Sequence, residues 1–110
     1  MENTQKNLLP FVLKINDDGG KYFNLLNKEN ASKMHSGFVT LKPGETVGSH
    51  TTGKNEEIIV VVEGSGEIEA GGVKRPVTKG DIGYNPPDTE HNVINNSDSV
   101  LKYIFVVSEA

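Results

Sequence analysis

Residues that could hold a metal ion stand in the stretch GETVGSHTTGKNEEIIVVVEG, residues 44–64. It contains His50 and two adjacent acids, the second of which is Glu57. Imidazole and carboxylate groups are common ligands of divalent transition metals. Two residues after His50, where a second histidine would complete a metal-binding pattern, stands Thr52. The stretch therefore raises two hypotheses, a metal site that functions and a scaffold that has lost its site.

The composition excludes several classes of protein. A chain of 110 residues fits one domain. Its formal charge of -4, without a block of Lys or Arg and without Trp, argues against a nucleic-acid partner. The absence of Cys excludes disulfides, thiolate metal sites and cysteine nucleophiles. No apolar run approaches the roughly 20 residues of a membrane span, and the N-terminus does not resemble a signal peptide, so we predict a cytoplasmic protein without a membrane partner.

The pattern of apolar residues and turns predicts an all-β fold with little or no helix. Turn signals recur every ~8 to 12 residues, as in sandwiches and barrels. Residues 58–62 are consecutive β-branched apolar residues. Successive strand residues point to opposite faces, so this strand is apolar on both faces and is predicted to lie centrally. The predicted strands include residues 11–15, 21–26, 37–42, 57–63 and 99–107, with a loop over residues 27–35.

Two spaced motifs resemble those of the small single-domain cupins. The first motif of that family is Gly, five residues, His-x-His, three or four residues, Glu, six residues and Gly. Gly44, His50, Glu57 and Gly64 stand in this register, with Thr52 in place of the second histidine.

The second motif is Gly, five residues, Pro-x-Gly, two residues, His, three residues and Asn. Gly80, Pro86, His91 and Asn95 match it, and Asp88 occupies the second glycine position. The resemblance covers about residues 36–107. It implies a double-stranded β-helix, the jelly-roll or cupin barrel, whose core is residues 36–110. Residues 1–35 are then an N-terminal arm and strands that contribute to the barrel or to a dimer.

The resemblance also implies a ligand set inside the barrel. His50, Glu57 and His91 would converge on one divalent transition metal, which could be Fe, Mn, Ni, Co or Zn. Thr52 would hydrogen-bond a ligand or a water molecule, since a neutral hydroxyl is a weak metal ligand. Two imidazoles and a carboxylate are the set of non-heme Fe(II) oxygenases and of some hydrolytic zinc sites. The alternative is a metal-free lumen that retains these side chains for hydrogen bonding.

Three functional hypotheses follow, and the sequence leaves open whether the protein is an enzyme. The first is a metal-dependent enzyme, of oxygenase or isomerase type, that acts on a small polar molecule. The second is a non-catalytic module that binds a small, for example sugar-like, molecule in a degenerate, metal-free site. The third is a structural or regulatory dimer with an inert lumen. A homodimer is predicted because Ile58, Val60 and Val62 face outward and need cover, with residues 11–15 or 21–26 taking part.

Overall fold

The computed structural model describes residues 8–110, which form nine strands and no helix. The predicted all-β class is therefore confirmed. Residues 1–7 of the predicted arm lie outside the described part of the chain. The strands are β1 (Tyr22–Leu26), β2 (Met34–Leu41), β3 (His50–Thr51), β4 (Asn55–Glu63), β5 (Ser65–Ala70), β6 (Val73–Thr78), β7 (Ile82–Asn85), β8 (Glu90–Ile94) and β9 (Leu101–Glu109).

The strands form two antiparallel sheets that face each other across one core. The five-stranded sheet has the order β1-β2-β9-β4-β7, and the four-stranded sheet has the order β3-β8-β5-β6. Apart from the β1–β2 and β5–β6 pairs, which each stay within one sheet, successive strands alternate between the two sheets, as in the double-stranded β-helix predicted above. The core contains residues from both sheets, namely Val39, Leu41, Ile59, Val61, Ile68, Val93, Leu101 and Tyr103.

Strand β4 is the central element that carries one proposed ligand. It pairs with β9 on one side and with β7 on the other. Glu57, Ile59 and Val61 point inward and are buried, as the alternation of strand residues requires. Ile58 points outward and is exposed. The inward face of β4 thus carries one carboxylate followed by two apolar core residues.

Two local predictions about the N-terminal part differ from the structure. Residues 11–15 form no strand and are mostly exposed. Met34 and His35 belong to β2, where a loop was predicted, because β9 is long enough to pair with them through Ser108 and Val107. Long-range pairing thus outweighs the polar local sequence. The predicted boundary between residues 35 and 36 consequently falls within β2.

The last residue of the second motif, Asn95, holds the end of the barrel together. Its fully buried side chain donates hydrogen bonds to the carbonyl oxygens of Leu41 and Ser99, at 2.9 and 2.8 Å. Its Oδ1 accepts hydrogen bonds from the backbone and hydroxyl of Ser97. Asn95 therefore ties β2 to the loop between β8 and β9.

Gly64 is required where β4 turns into β5. Its φ angle of 83° lies in the left-handed region, and a Cβ at this position would overlap the carbonyl oxygen of Val100. Gly72 has a similar φ of 81°, but a Cβ there would meet nothing within 4 Å. A side chain at either position would strain the backbone, but only one at Gly64 would also overlap a neighbouring atom.

We predict that Gly64→Ala lowers the free energy of unfolding by about 3 kcal/mol or more, since a backbone carbonyl cannot rotate away. Gly72→Ala is the matched control and should cost only the ~1–2 kcal/mol of a left-handed non-glycine residue. Urea unfolding followed by far-UV circular dichroism measures both values. Equal losses for the two variants would contradict the steric argument.

Candidate functional site

A cavity of about 450 Å³ opens between the two sheets. Strands of both sheets line it, and all three proposed metal ligands lie in its wall. The lining residues are Tyr22, His35, Val39, Val47, Gly48, Ser49, His50, Thr51, Thr52, Asn55, Glu57, His91, Val93, Tyr103, Phe105 and Val107.

Glu57 and His91 form a buried pair in this cavity. Their exposed fractions are 7% and 3%, and Glu57 Oε1 lies 3.0 Å from His91 Nε2. His91 Nε2 has no hydrogen-bond partner among the described residues. A carboxylate oxygen and an imidazole nitrogen thus lie within ion-pair distance of each other, without a hydrogen bond between them.

The backbone orients both histidines in the same way. His50 Nδ1 lies 2.8 Å from the carbonyl oxygen of Gly48, and His91 Nδ1 lies 3.1 Å from that of Thr89. A carbonyl oxygen only accepts hydrogen bonds, so each Nδ1 carries the proton. In the neutral form of such a ring, Nε2 carries the lone pair that a metal ion would use.

His50 lies beside this pair, on the exposed side of the cavity. It pairs with His91 across β3 and β8, and the two ring centroids are 4.2 Å apart. Within residues 8–110, however, no three His, Cys, Asp or Glu side chains are close enough together to form a ready metal cluster. The structure therefore brings Glu57 and His91 together and places His50 beside them.

Asn85 is a site residue that sequence reasoning missed. It pairs with Glu57 across β7 and β4, is only 1% exposed, and donates a 3.0 Å hydrogen bond from Nδ2 to Glu57 Oε1. This bond partly offsets the cost of burying a carboxylate. The only signal in the sequence was a polar residue just before the Pro86-Pro87 pair, which does not by itself indicate a contact with Glu57.

The Thr52 hydroxyl is directed to backbone groups rather than to a ligand side chain. Its Oγ1 donates to the carbonyl oxygen of Pro86 at 2.7 Å and accepts from the amide of Thr89 at 3.1 Å. Since Thr89 in turn holds the Nδ1 of His91, Thr52 supports the loop that positions that histidine.

The remainder of the cavity is largely apolar and aromatic. Val39, Val93 and Tyr103 are buried in its wall, and Phe105 lies edge-on to His35 at 6.1 Å between ring centroids. Burial, together with the negative charge of Glu57, raises the pKa of the Tyr103 phenol, so its hydroxyl stays protonated. The sequence did not mark these residues as cavity lining, because their positions depend on pairing between distant strands.

Comparison with known proteins establishes the family. The cupin domain model matches residues 37–107, so the chain belongs to the cupins. Among solved structures, a cupin protein from Bacteroides fragilis has a TM-score of 0.80 at 23% identity, over 96% of this chain and 87% of that one. A Bacillus halodurans protein gives 0.81 at 20% identity, over 93% and 83%.

A third similar structure, a predicted oxalate decarboxylase from Thermotoga maritima, gives a TM-score of 0.77 at 25% identity, over 81% of this chain and 79% of that one. No curated protein matches the chain significantly. The comparisons therefore establish the family and the fold, and the chemistry must be argued from the side chains.

We predict that Thr52→Val destabilises the protein by about 1–3 kcal/mol, because it leaves a carbonyl and an amide without their partner. Thr52→Ser retains the hydroxyl and should lose less. Chemical denaturation monitored by circular dichroism compares the two variants. An unfolding midpoint for Thr52→Val equal to that of the wild-type protein would show that the bridge contributes nothing.

Proposed function

We propose that this cupin binds a divalent transition metal through His50, Glu57 and His91 and presents it to a small molecule in the cavity. The observation that carries the proposal is the 3.0 Å separation of Glu57 Oε1 and His91 Nε2 without a hydrogen bond. Two ligands at right angles are about 3 Å apart when each metal bond is about 2.1 Å. The pair therefore fits two adjacent positions around one cation.

Charge supports the same proposal. In its neutral form with the proton on Nδ1, His91 presents its Nε2 lone pair to the carboxylate oxygen, and two electron-rich atoms at this distance repel each other, whereas a protonated ring would form an ion pair with Glu57. Asn85 donates one hydrogen bond to Glu57, which reduces the cost of the buried charge but does not remove that repulsion. A cation between the two atoms turns the repulsion into attraction.

Two imidazoles and a carboxylate leave coordination positions open for a substrate. When bound, such a metal supplies Lewis-acid or redox chemistry, which is the basis for an oxygenase or isomerase activity. The residues of this chain line the cavity around the proposed metal position, orient Glu57 through Asn85, and keep a protonated Tyr103 hydroxyl in the same cavity.

The alternative is a metal-free binding module, and the exposure of His50 favours it. By likeness to the predicted oxalate decarboxylase, oxalate is a candidate substrate. We do not propose it, because among residues 8–110 no Lys or Arg lines the cavity to neutralise a second carboxylate. The cytoplasmic location and the absence of a nucleic-acid partner remain predictions from composition.

We predict that the purified protein binds about one equivalent of Co²⁺ after EDTA treatment, and that saturating Co²⁺ stabilises it by about 2.7 kcal/mol at 100 times Kd. Glu57→Gln and His91→Ala should abolish binding, since each removes a buried donor. His50→Ala should weaken it at least tenfold. Visible absorption of bound Co²⁺ and thermal unfolding measure both effects.

His35→Ala is the matched control, because His35 lines the same cavity but is not a proposed ligand. It should leave Co²⁺ affinity unchanged. If the wild-type protein takes up neither Co²⁺, Fe²⁺, Mn²⁺, Ni²⁺ nor Zn²⁺ at micromolar concentrations, the metal proposal is wrong and the metal-free module replaces it. If His35→Ala lost Co²⁺ binding as fully as Glu57→Gln and His91→Ala, the metal would not be bound by the proposed three ligands alone.

We also propose that the protein is a homodimer. Ile82 and Tyr84 are 64% and 60% exposed on the outer face of the five-stranded sheet, beside the exposed Ile58. The segment before β1 carries Phe11 and Val12, the latter 98% exposed. Within residues 8–110 both are exposed apolar surfaces, and a second copy would cover one with the other.

We predict that the wild-type protein sediments at twice its chain mass of 11.9 kDa at micromolar concentrations. Val12→Asp and Ile82→Asp should each shift it toward the monomer, because a buried, unpaired carboxylate disfavours association. Lys42→Glu changes an exposed charge in the loop after β2 and serves as the control. A wild-type monomer at high micromolar concentration would contradict the proposal.

A further inference from the structure

We propose that the cavity accepts a compact, mainly apolar, aromatic molecule with one oxygen donor and at most one negative charge, of which a simple phenol is the model. This inference rests on the proposed function for one point, the contact between the donor oxygen and the metal. It replaces the small polar or sugar-like ligand expected from the sequence with a ligand that is polar at one end only.

The wall of the cavity sets the apolar character of the ligand. Val39, Val93, Phe105 and Val107 line it, and their side chains carry no hydrogen-bonding group. Water against such a wall finds few partners, so an apolar group gains by displacing it. A polyol would have to place several hydroxyl groups against these side chains without partners, which is unfavourable.

Groups that could bind one ligand oxygen line the same cavity. Glu57 Oε1 and His91 Nε2 are 3.0 Å apart, and Tyr103 also lines the cavity. The phenol of Tyr103 is a hydrogen-bond donor. The proposed metal and Tyr103 can therefore both contact one ligand oxygen.

The charge of the cavity limits the charge of the ligand. Among residues 8–110 the lining contains one carboxylate, Glu57, and neither Lys nor Arg. With the proposed divalent cation bound, the centre carries one net positive charge, which matches a monoanion such as a phenolate. A dicarboxylate or a sugar phosphate would bring a second charge into the cavity without a partner, and its desolvation opposes binding.

The rings in the wall favour an aromatic ligand over a saturated one. Phe105 meets His35 edge-on, and Tyr22 also lines the cavity. Aromatic rings gain from edge-to-face and offset contacts beyond the area that they bury. A flat ring entering beside Phe105 would make such contacts, whereas a cyclohexane ring would make only apolar ones.

The experiment is a ¹H–¹⁵N NMR titration of the full chain with 4-methylphenol, 4-methylcyclohexanol, oxalate and glucose 6-phosphate, each with the EDTA-treated and the Zn²⁺-loaded protein. We expect 4-methylphenol to shift amides of β2, β8 and β9 in a saturable manner in both forms, more tightly with Zn²⁺. Oxalate and glucose 6-phosphate should give no saturable shift at β2 and β9.

Phe105→Leu should lower the affinity for 4-methylphenol by about three- to tenfold. The affinity for 4-methylcyclohexanol should change by no more than about twofold. Ile82→Leu, an apolar change on the outer face, is the control and should alter neither. Saturable binding of oxalate or glucose 6-phosphate at least as tight as that of 4-methylphenol would overturn the proposed ligand class. If Phe105→Leu lowered the affinity for 4-methylphenol and for 4-methylcyclohexanol equally, the proposed preference for an aromatic ring would be wrong.

The outcomes separate this inference from the metal proposal. If 4-methylphenol binds the EDTA-treated protein but Zn²⁺ does not bind, the ligand class stands and the metal proposal fails. If Zn²⁺ binds and 4-methylphenol does not shift the lumen amides at millimolar concentration, the metal proposal stands and the ligand class is wrong.

Discussion

The burial of one carboxylate is the constraint on which the candidate site depends. Glu57 lies on the central strand β4, with apolar core residues following it on the same face. A buried carboxylate is costly unless other groups compensate its charge. Asn85 supplies a hydrogen bond from the neighbouring strand of the same sheet, and His91 reaches it from the opposite sheet. The Glu57 carboxylate is therefore a point of contact between the two sheets.

The replacement of a motif histidine by Thr52 fits this arrangement because the hydroxyl has another role. It bridges the loop after β3 to the backbone of Pro86 and Thr89. Thr89 in turn holds the ring of His91 in the orientation that frees its Nε2 atom. The chain thus lacks the second histidine of the first motif as a candidate ligand. Thr52, at that position, instead stabilises the loop that orients His91.

The sequence predicted the fold well because that prediction rests on local patterns. The β-branched run of β4 and the glycines at its turns are visible without a structure, and Asp88 indeed adopts a left-handed φ of 56° where the family motif has glycine. The contacts of Asn85 and Phe105 were not predictable in the same way, because they depend on the register between strands far apart in the chain. Residues 11–15 were predicted as a strand from their apolar composition, but no neighbouring strand pairs with them among the described residues.

The apolar wall and the buried charge also reinforce each other. Electrostatic interactions strengthen as water is excluded, so the same side chains that favour an apolar ligand make the Glu57 charge more effective toward a cation. They also make any second, unpaired charge more unfavourable. In the proposed complex, a lumen with one carboxylate, two imidazoles and an apolar, aromatic wall would therefore attract one polar group strongly and disfavour a second charge. This selectivity would depend on the lack of Lys and Arg in the described lining as much as on the position of Glu57.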